Sequence, residues 1–143
     1  MDRKSNSHVT ENVRELLAEI RQAAIDCGRD PAEVTLMAVT KTVAPELVNE
    51  AIANGIVLLG ENRAQELLEK YDSYDKEHVD IHFIGHLQTN KVRQIVDKVS
   101  MIHSVDSLHL AEEIDKQAAK NNKVIALSKI TSIASNLNKK AIL

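Results

Sequence analysis

Polar side chains follow four apolar segments of the sequence, and Lys41 has the most reactive group among them. A lysine at the end of a buried strand, with its stem against apolar neighbours, loses hydration. This loss lowers the pKa of the amine and frees it for nucleophilic attack or for a Schiff base. A lysine that only ends the strand in water would have no such role, and most lysines are solvated. The other polar residues at segment ends are Thr40, Glu61, Asn62, His86, Gln88, Asn90, Lys91, Ser104, Asp106 and Ser107.

Histidines in three places raise the question of a metal site. His82, His86 and His103 come from different strand positions, and no H-x-x-x-H pair falls on a helix, because His82 and His86 span a strand end. We therefore predict no metal site. His82 is expected to bond to backbone or to pack under a helix. Asp106 is expected to cap a helix rather than to act as a catalytic acid.

The elements that must position these side chains repeat with a steady period. Apparent strands begin near residues 34, 56, 81, 101 and 123, and each is followed by a loop and a helical segment. Regular alternation of this kind predicts a parallel sheet with right-handed crossovers. Its first strand, near 34–40, is almost continuously apolar, which is typical of a strand buried on both faces. The carboxyl ends of the strands then share one rim, where α/β proteins bind ligands.

Two architectures fit this pattern, an open doubly wound sheet and a (β/α)8 barrel. No G-x-G-x-x-G turn follows the first strand, which argues against a dinucleotide-binding open sheet. A barrel takes about 250 residues, so 143 residues suffice for about its first half. Before the first strand, helical spacing predicts a helix from about His8 to Cys27, stopped by Gly28, with Cys27 as a small core residue. The helix after the third strand is expected to bury Val92, Ile95, Val96 and Val99, and the helix after the fourth is expected to bury Leu108, Ala111, Ile114 and Ala118.

The composition excludes several classes of function. The net charge of −3 and the aromatic content of 2% give neither the basic surface nor the stacking platforms of a nucleic-acid-binding protein. One cysteine allows no internal disulfide and no cysteine metal site, which suits a reducing cytoplasm. The N-terminus has no apolar signal region, and no segment reaches the length of a membrane span. We expect a cytoplasmic protein.

Four sequence blocks together resemble the pyridoxal phosphate homeostasis protein family. They are residues 38–42 (AVTKT), 60–66 (GENRAQE), 82–91 (HFIGHLQTNK) and 104–107 (SVDS), in that order, and the third is highly specific. The resemblance covers about residues 9–125. It implies the fold of the N-terminal domain of alanine racemase, a (β/α)8 barrel that binds pyridoxal 5′-phosphate (PLP), here as an incomplete half. It places the aldimine lysine at Lys41 and further cofactor contacts at Asn62 and His86.

The resemblance also implies a function, in which the protein carries PLP or regulates vitamin B6 without established turnover. A racemase-like PLP enzyme is an alternative, although it would need a second acid or base on the opposite face of the ring. A truncated product without function is another. In barrels of this class the last βα loops bind the phosphate, and these loops are missing, so we expect weak cofactor retention.

The resemblance stops near Ile125, and we divide the chain into residues 1–125 and a divergent tail, 126–143. The tail has three lysines and no acidic residue, a shift that suggests a reading-frame change. A terminal helix is the alternative, with Leu127, Ile130, Ala134, Leu137 and Ala141 on one face. An incomplete barrel exposes two strand edges and an apolar inner face. We therefore expect marginal stability, and the edges also permit self-association.

Overall fold

The computed structural model describes residues 8–128 of the chain. Residues 129–143, which make up most of the predicted tail and of the helix suggested for it, lie outside the described residues. Within 8–128, strands and helices alternate as the sequence predicts. In chain order they are α1 (Val9–Asp26), β1 (Ala38–Val39), α2 (Pro45–Ala53), β2 (Leu58–Glu61), α3 (Ala64–Lys70), β3 (Asp80–Phe83), α4 (Val92–Ile95), β4 (Met101–Ile102), α5 (Leu108–Lys120) and β5 (Ala126–Leu127).

The strand order decides between the two predicted architectures. The five strands form one sheet in the order β1-β2-β3-β4-β5, and every neighbouring pair is parallel. In a doubly wound sheet the strand order reverses at a switch point. Here each strand instead lies next to the one before it in the chain, as in a (β/α)8 barrel. Right-handed crossovers in one direction place the connecting helices on a single face of the sheet.

The core lies between the sheet and this helix layer. Strand residues that face the helices are buried, as at Leu59, Ile81 and Phe83, since side chains alternate between the faces of a strand. All four positions predicted to face inward after the third strand are fully buried: Val92, Ile95, Val96 and Val99. Further core residues are Val48, Ala51, Ile56, Leu67, Tyr74, Leu87, Ile102, Leu110, Ile114 and Ala118.

Local signals fix several of the element ends. Gly28 follows α1 with φ +71°, a left-handed conformation that glycine adopts without steric cost, so the helix stops where predicted. Pro31 opens a short 3₁₀ turn, which the Asp30 carboxylate caps by accepting from the Ala32 N–H at 2.9 Å. Ser107 caps α5, its hydroxyl accepting from the Leu110 N–H at 3.1 Å. The cap is therefore Ser107 and not Asp106.

Two predicted core residues are exposed. Cys27 was expected in the core, but it lies after the last residue of α1, beyond Ala24, the buried residue of that helix. Leu108 is 75% exposed, because the Ser107 cap makes it the first residue of α5, on the outer side of the first turn. Gln117 takes a buried position on the inward face of that helix, and its amide donates to Glu113 at 2.6 Å.

The strand β1 is not buried on both faces, contrary to the prediction. In the part of the chain that the structure describes, β1 pairs with β2 alone, and its Val39 is 46% exposed on the face away from the helices. At the other edge, Leu127 of β5 is also exposed. Between residues 8 and 128 the sheet therefore has two free edges and an uncovered face. No helix in this range is long and apolar enough to span a membrane.

Candidate functional site

The carboxyl ends of the strands share one rim, and Lys41 and Asn62 lie at corresponding positions on it. Val39 pairs with Gly60, and the Thr40 N–H bonds to the Gly60 carbonyl at 3.3 Å, so the parallel register continues to the strand ends. Lys41 follows β1 by two residues, in a turn that the Val43 N–H closes by donating to the Thr40 carbonyl at 3.1 Å, and Asn62 directly follows β2. Lys41 is exposed, and Asn62 is half-buried. The described residues do not give Lys41 the apolar surroundings that the sequence prediction assumed.

Thr40 and Glu61 were expected at this rim, but both turn away from it. Each precedes a rim residue by one position, so its side chain points to the helix side of the sheet. There the buried Glu61 carboxylate accepts from the Thr40 hydroxyl at 2.6 Å and from the Tyr74 hydroxyl at 2.8 Å. Burial, reinforced by the hydrogen bond to Glu61, raises the pKa of Tyr74 far above its ordinary value. This network joins the ends of β1 and β2 directly beneath Lys41 and Asn62.

Asn62 is packed against the glycine that ends the next strand. A Cβ atom on Gly85 would lie 1.9 Å from the backbone oxygen of Asn62 and 2.9 Å from its side-chain Oδ1. Both distances are shorter than van der Waals contact, so only glycine fits at position 85. The missing side chain allows the chain after β2 and the chain after β3 to approach closely at the rim, so that the Asn62 backbone packs directly on Gly85.

His86 and Asp106 come together at the rim in an exposed pair. The Nδ1 atom of His86 lies 3.6 Å from Oδ2 of Asp106, and both side chains are largely solvated. A pair of this kind contributes little to stability, so the imidazole remains available to a ligand. Ser104, at the end of β4, has φ +61°, an uncommon conformation for a non-glycine residue that is enriched at functional sites.

A pair of histidines lies deeper on the uncovered face, and it was not predicted from the sequence. Nδ1 of His82 is 3.1 Å from Nε2 of His103. His82 was expected to bond to backbone or to pack under a helix; the structure instead turns it to the opposite face, next to Gly60 and Met101 in the register. Strand alternation is the signal that could have found it, because His82 is one residue from the inward Ile81 and Phe83. Burial lowers the pKa of both imidazoles.

The rim therefore offers one amine, one amide and imidazoles, arranged at the edge of an uncovered apolar face. An exposed amine on a rigid strand end can add to an aldehyde, and the polar neighbours can hydrogen-bond a heteroaromatic ring. Gln88, Asn90 and Lys91 lie around a 3₁₀ turn outside the sheet, not at the strand end. Across residues 8–128, no three metal-binding side chains converge on one point.

Comparisons with known proteins give relatives of one kind. The chain is 43% identical over 112 residues to the pyridoxal phosphate homeostasis protein of Aquifex aeolicus, covering 78% of this chain and 49% of that protein. It thus spans about half the length of the curated relatives that it matches. No protein-family model matches the chain.

Solved structures with the same arrangement include proteins of similar sequence. A crystal structure described as an unknown protein from Bifidobacterium adolescentis superposes with a TM-score of 0.79 at 31% identity, covering 89% of this chain and 56% of that one. The PLP-bound structure of PipY from Synechococcus elongatus has a TM-score of 0.63 at 29% identity, covering 89% and 65%. Alanine racemase from Streptomyces coelicolor, at 18% identity and a TM-score of 0.61, shares the fold over 93% of this chain and 38% of its own. The described sheet therefore corresponds to part of a (β/α)8 barrel.

Proposed function

The matched part of this chain belongs to the pyridoxal phosphate homeostasis protein family, and from this premise we propose that the chain binds PLP and serves vitamin B6 homeostasis. The observation that carries the proposal is the position of Lys41, an exposed amine in the turn that follows β1 at the rim of the sheet. PipY, a structural relative that includes a PLP-bound form, supports the same cofactor.

Lys41 is the proposed attachment point. PLP would supply an aldehyde, and Lys41 would be the residue that holds it through its amine. This chemistry needs a nucleophile that the ligand can approach from the open side of the sheet. Lys41 is exposed and lies just after a strand end, so a ligand can reach its amine from that side.

Asn62 and His86 are the proposed polar contacts of the ring. The backbone of Asn62 packs closely on Gly85, and the amide of this half-buried side chain would donate and accept hydrogen bonds at the rim. His86 approaches the rim only as an exposed pair with Asp106, and we expect it to contribute less. The carrier role requires no further acid or base from these residues.

The proposed weak retention of the cofactor follows from the strands that are present. In (β/α)8 barrels the phosphate is bound by the loops after strands 7 and 8, whereas the described residues include the loops after β1 to β4. Among residues 8–128, Lys41 would thus hold the aldehyde end, and this range does not include the loops that bind the phosphate in such barrels. We expect pyridoxal without its phosphate to bind almost as well as PLP.

An absorbance titration tests this proposal. Wild-type chain, Lys41→Met and Glu69→Gln are each titrated with PLP and with pyridoxal, and the band of the lysine-bound form is followed. We expect the band in wild type and in Glu69→Gln, a matched change of an exposed residue on α3, and its loss in Lys41→Met. An equal band in wild type and Lys41→Met would contradict the assignment.

A racemase-like enzyme is the second candidate for the same site. It would need an acid or base on the far side of the ring, and no described residue has been placed there. An amino-acid racemisation assay separates the two, since turnover above the rate of free PLP would favour the enzyme. A chain that shows no lysine-bound band with either ligand would be the non-functional product.

We also propose that the free edges of the sheet associate with a second copy. The strands β1 and β5 leave backbone groups unpaired among residues 8–128, and apolar side chains are exposed at Val39, Val124 and Leu127. An unprotected edge pairs readily with another strand. Sedimentation over a range of concentrations should show mass increasing with concentration, and a monomer throughout would exclude this association.

A further inference from the structure

The loop after Lys41 is attached to α3 by two side chains on successive turns of the helix. Glu66 accepts a hydrogen bond from the Thr42 N–H at 2.6 Å. Lys70 donates to the Val43 carbonyl at 2.8 Å and to the Thr40 carbonyl at 3.4 Å. Lys70 also bonds to Glu66, so that all three N–H groups of its ammonium have an acceptor. The contacted residues are the immediate neighbours of Lys41 on both sides, together with Val43.

The pair is well shielded for two charged side chains. The Glu66 and Lys70 side chains are only 17% and 16% exposed. The hydrogen bond from Lys70 is the largest of several causes that lower the pKa of Glu66, so the carboxylate stays ionised and continues to accept from Thr42. An ion pair with little exposure and several hydrogen bonds constrains geometry far better than a solvated pair.

The backbone that the pair contacts is in an unusual conformation. Thr42 has φ +63°, and a β-branched residue in the left-handed region stays there only when its surroundings hold it. The hydrogen bond from the Thr42 N–H to Glu66 acts on this residue directly. The Lys70 contacts with the carbonyls of Thr40 and Val43 fix the chain before and after it.

We propose that Glu66 and Lys70 are positioning residues for Lys41, holding the backbone on both sides of it so that its amine faces the rim. The role of Lys41 that this positioning serves rests on the proposed function, whereas the contacts of Glu66 and Lys70 with the loop do not depend on it. Neither residue needs to touch the cofactor. Their role is to keep Lys41 at one place on the strand end, because a displacement of about 1 Å can slow a reaction by up to 10²-fold.

Hydrogen exchange of the cofactor-free chain tests the geometry on its own. Wild type is compared with Lys70→Met, which keeps the stem and removes three donors, and with Glu66→Gln, which keeps an acceptor for Thr42. Glu69→Gln is the control, because Glu69 lines the same surface pocket as Glu66 and Lys70, but its carboxylate accepts from the Gln65 amide at 2.9 Å. We expect the Thr42 and Val43 amides to exchange about tenfold faster or more in Lys70→Met, less so in Glu66→Gln, and unchanged in Glu69→Gln.

The second measurement follows attachment at Lys41. PLP adducts are reduced with borohydride, and the share of adduct at Lys41 relative to all other lysines is read by peptide mass spectrometry. We expect this share to fall about tenfold or more in Lys70→Met, if Lys41 moves from its place, and to remain at the wild-type value in Glu69→Gln. Each variant is trapped under conditions where far-UV circular dichroism shows it folded, because unfolding would also spread the adduct over the other lysines.

The outcomes separate this inference from the proposed function. If wild type forms no adduct at Lys41, the function fails, and the exchange experiment still decides whether the pair holds the loop. If Lys70→Met does not fold, Glu66→Gln carries both measurements. Wild-type exchange rates at Thr42 and Val43 in a folded Lys70→Met or Glu66→Gln variant would overturn the inference, as would an unchanged share at Lys41.

Discussion

Replacing Gly85 with alanine is the substitution for which the structure predicts the largest effect per atom added. The new methyl group would lie 1.9 Å from the backbone oxygen of Asn62. A backbone carbonyl cannot rotate out of the way as a flexible side chain can, so β2 and β3 must separate at the rim. Overpacking ordinarily costs about 1–3 kcal/mol. Because this overlap involves backbone on two paired strands, we expect a loss of about 3 kcal/mol or more.

Two other glycines provide matched controls for the same chemical change. Gly28 has nothing within 4 Å of an added Cβ, but its φ is +71°. The alanine variant should therefore lose about 1–2 kcal/mol of stability, the cost of a left-handed conformation for a residue with a Cβ. At Gly60 the nearest atom is the Met37 sulfur at 2.6 Å. That side chain is flexible and can rotate away, so the cost should be about 1 kcal/mol.

The assay is urea unfolding of the three variants, followed by far-UV circular dichroism at one protein concentration. The expected order of destabilisation is Gly85→Ala, then Gly28→Ala, then Gly60→Ala. A Gly85→Ala chain that cannot be obtained folded agrees with this order. If Gly85→Ala loses no more stability than Gly28→Ala, the close packing of Asn62 on Gly85 is wrong, and with it the account of how Asn62 is held.

Two further predictions concern buried polar groups. Tyr74→Phe removes one of the two hydroxyl donors to the buried Glu61 carboxylate. Urea unfolding should show a loss of stability of about 1.5–3 kcal/mol. Tyr71→Phe, the same change at a half-buried tyrosine, is the control, and a smaller loss in Tyr74→Phe than in Tyr71→Phe would contradict the prediction. Because burial lowers the pKa of His82 and His103 in the folded chain, the unfolded chain binds protons more readily near their ordinary pKa of about 6.5. Stability should thus hold above pH 6.5 and fall as the pH is lowered from there, and a His82→Gln/His103→Gln variant should lose less; an equal fall in both would refute this.

The periodic features of the chain could be predicted from sequence because they depend on local spacing. The βα repeat, the stop at Gly28 and the inward positions from Val92 to Val99 follow from hydrophobic period and turn chemistry, and the structure confirms them. The prediction that the first strand is buried on both faces was wrong, since Val39 is exposed. An apolar run in the sequence does not reveal whether other elements cover both faces of the strand.

The rim was predicted in part, and the errors have one physical cause. Consecutive residues of a strand point to opposite faces, so a polar run at a strand end divides between the rim and the helix side. Thr40 and Glu61 point to the helix side, whereas Lys41 is exposed and Asn62 half-buried just beyond the strand ends. The contacts of Glu66 and Lys70 with the loop could not be read from sequence, because they depend on how α3 docks beside β1.

The central claim is that Lys41 is the lysine that holds the cofactor, and reductive trapping tests it most directly. Wild-type chain is incubated with a slight excess of PLP and reduced with borohydride, and the modified lysine is located by peptide mass spectrometry, with Lys41→Met in parallel. The account predicts that the adduct concentrates on Lys41 and that the variant carries no comparable adduct elsewhere. An adduct spread evenly over the lysines, or none at Lys41, would contradict it.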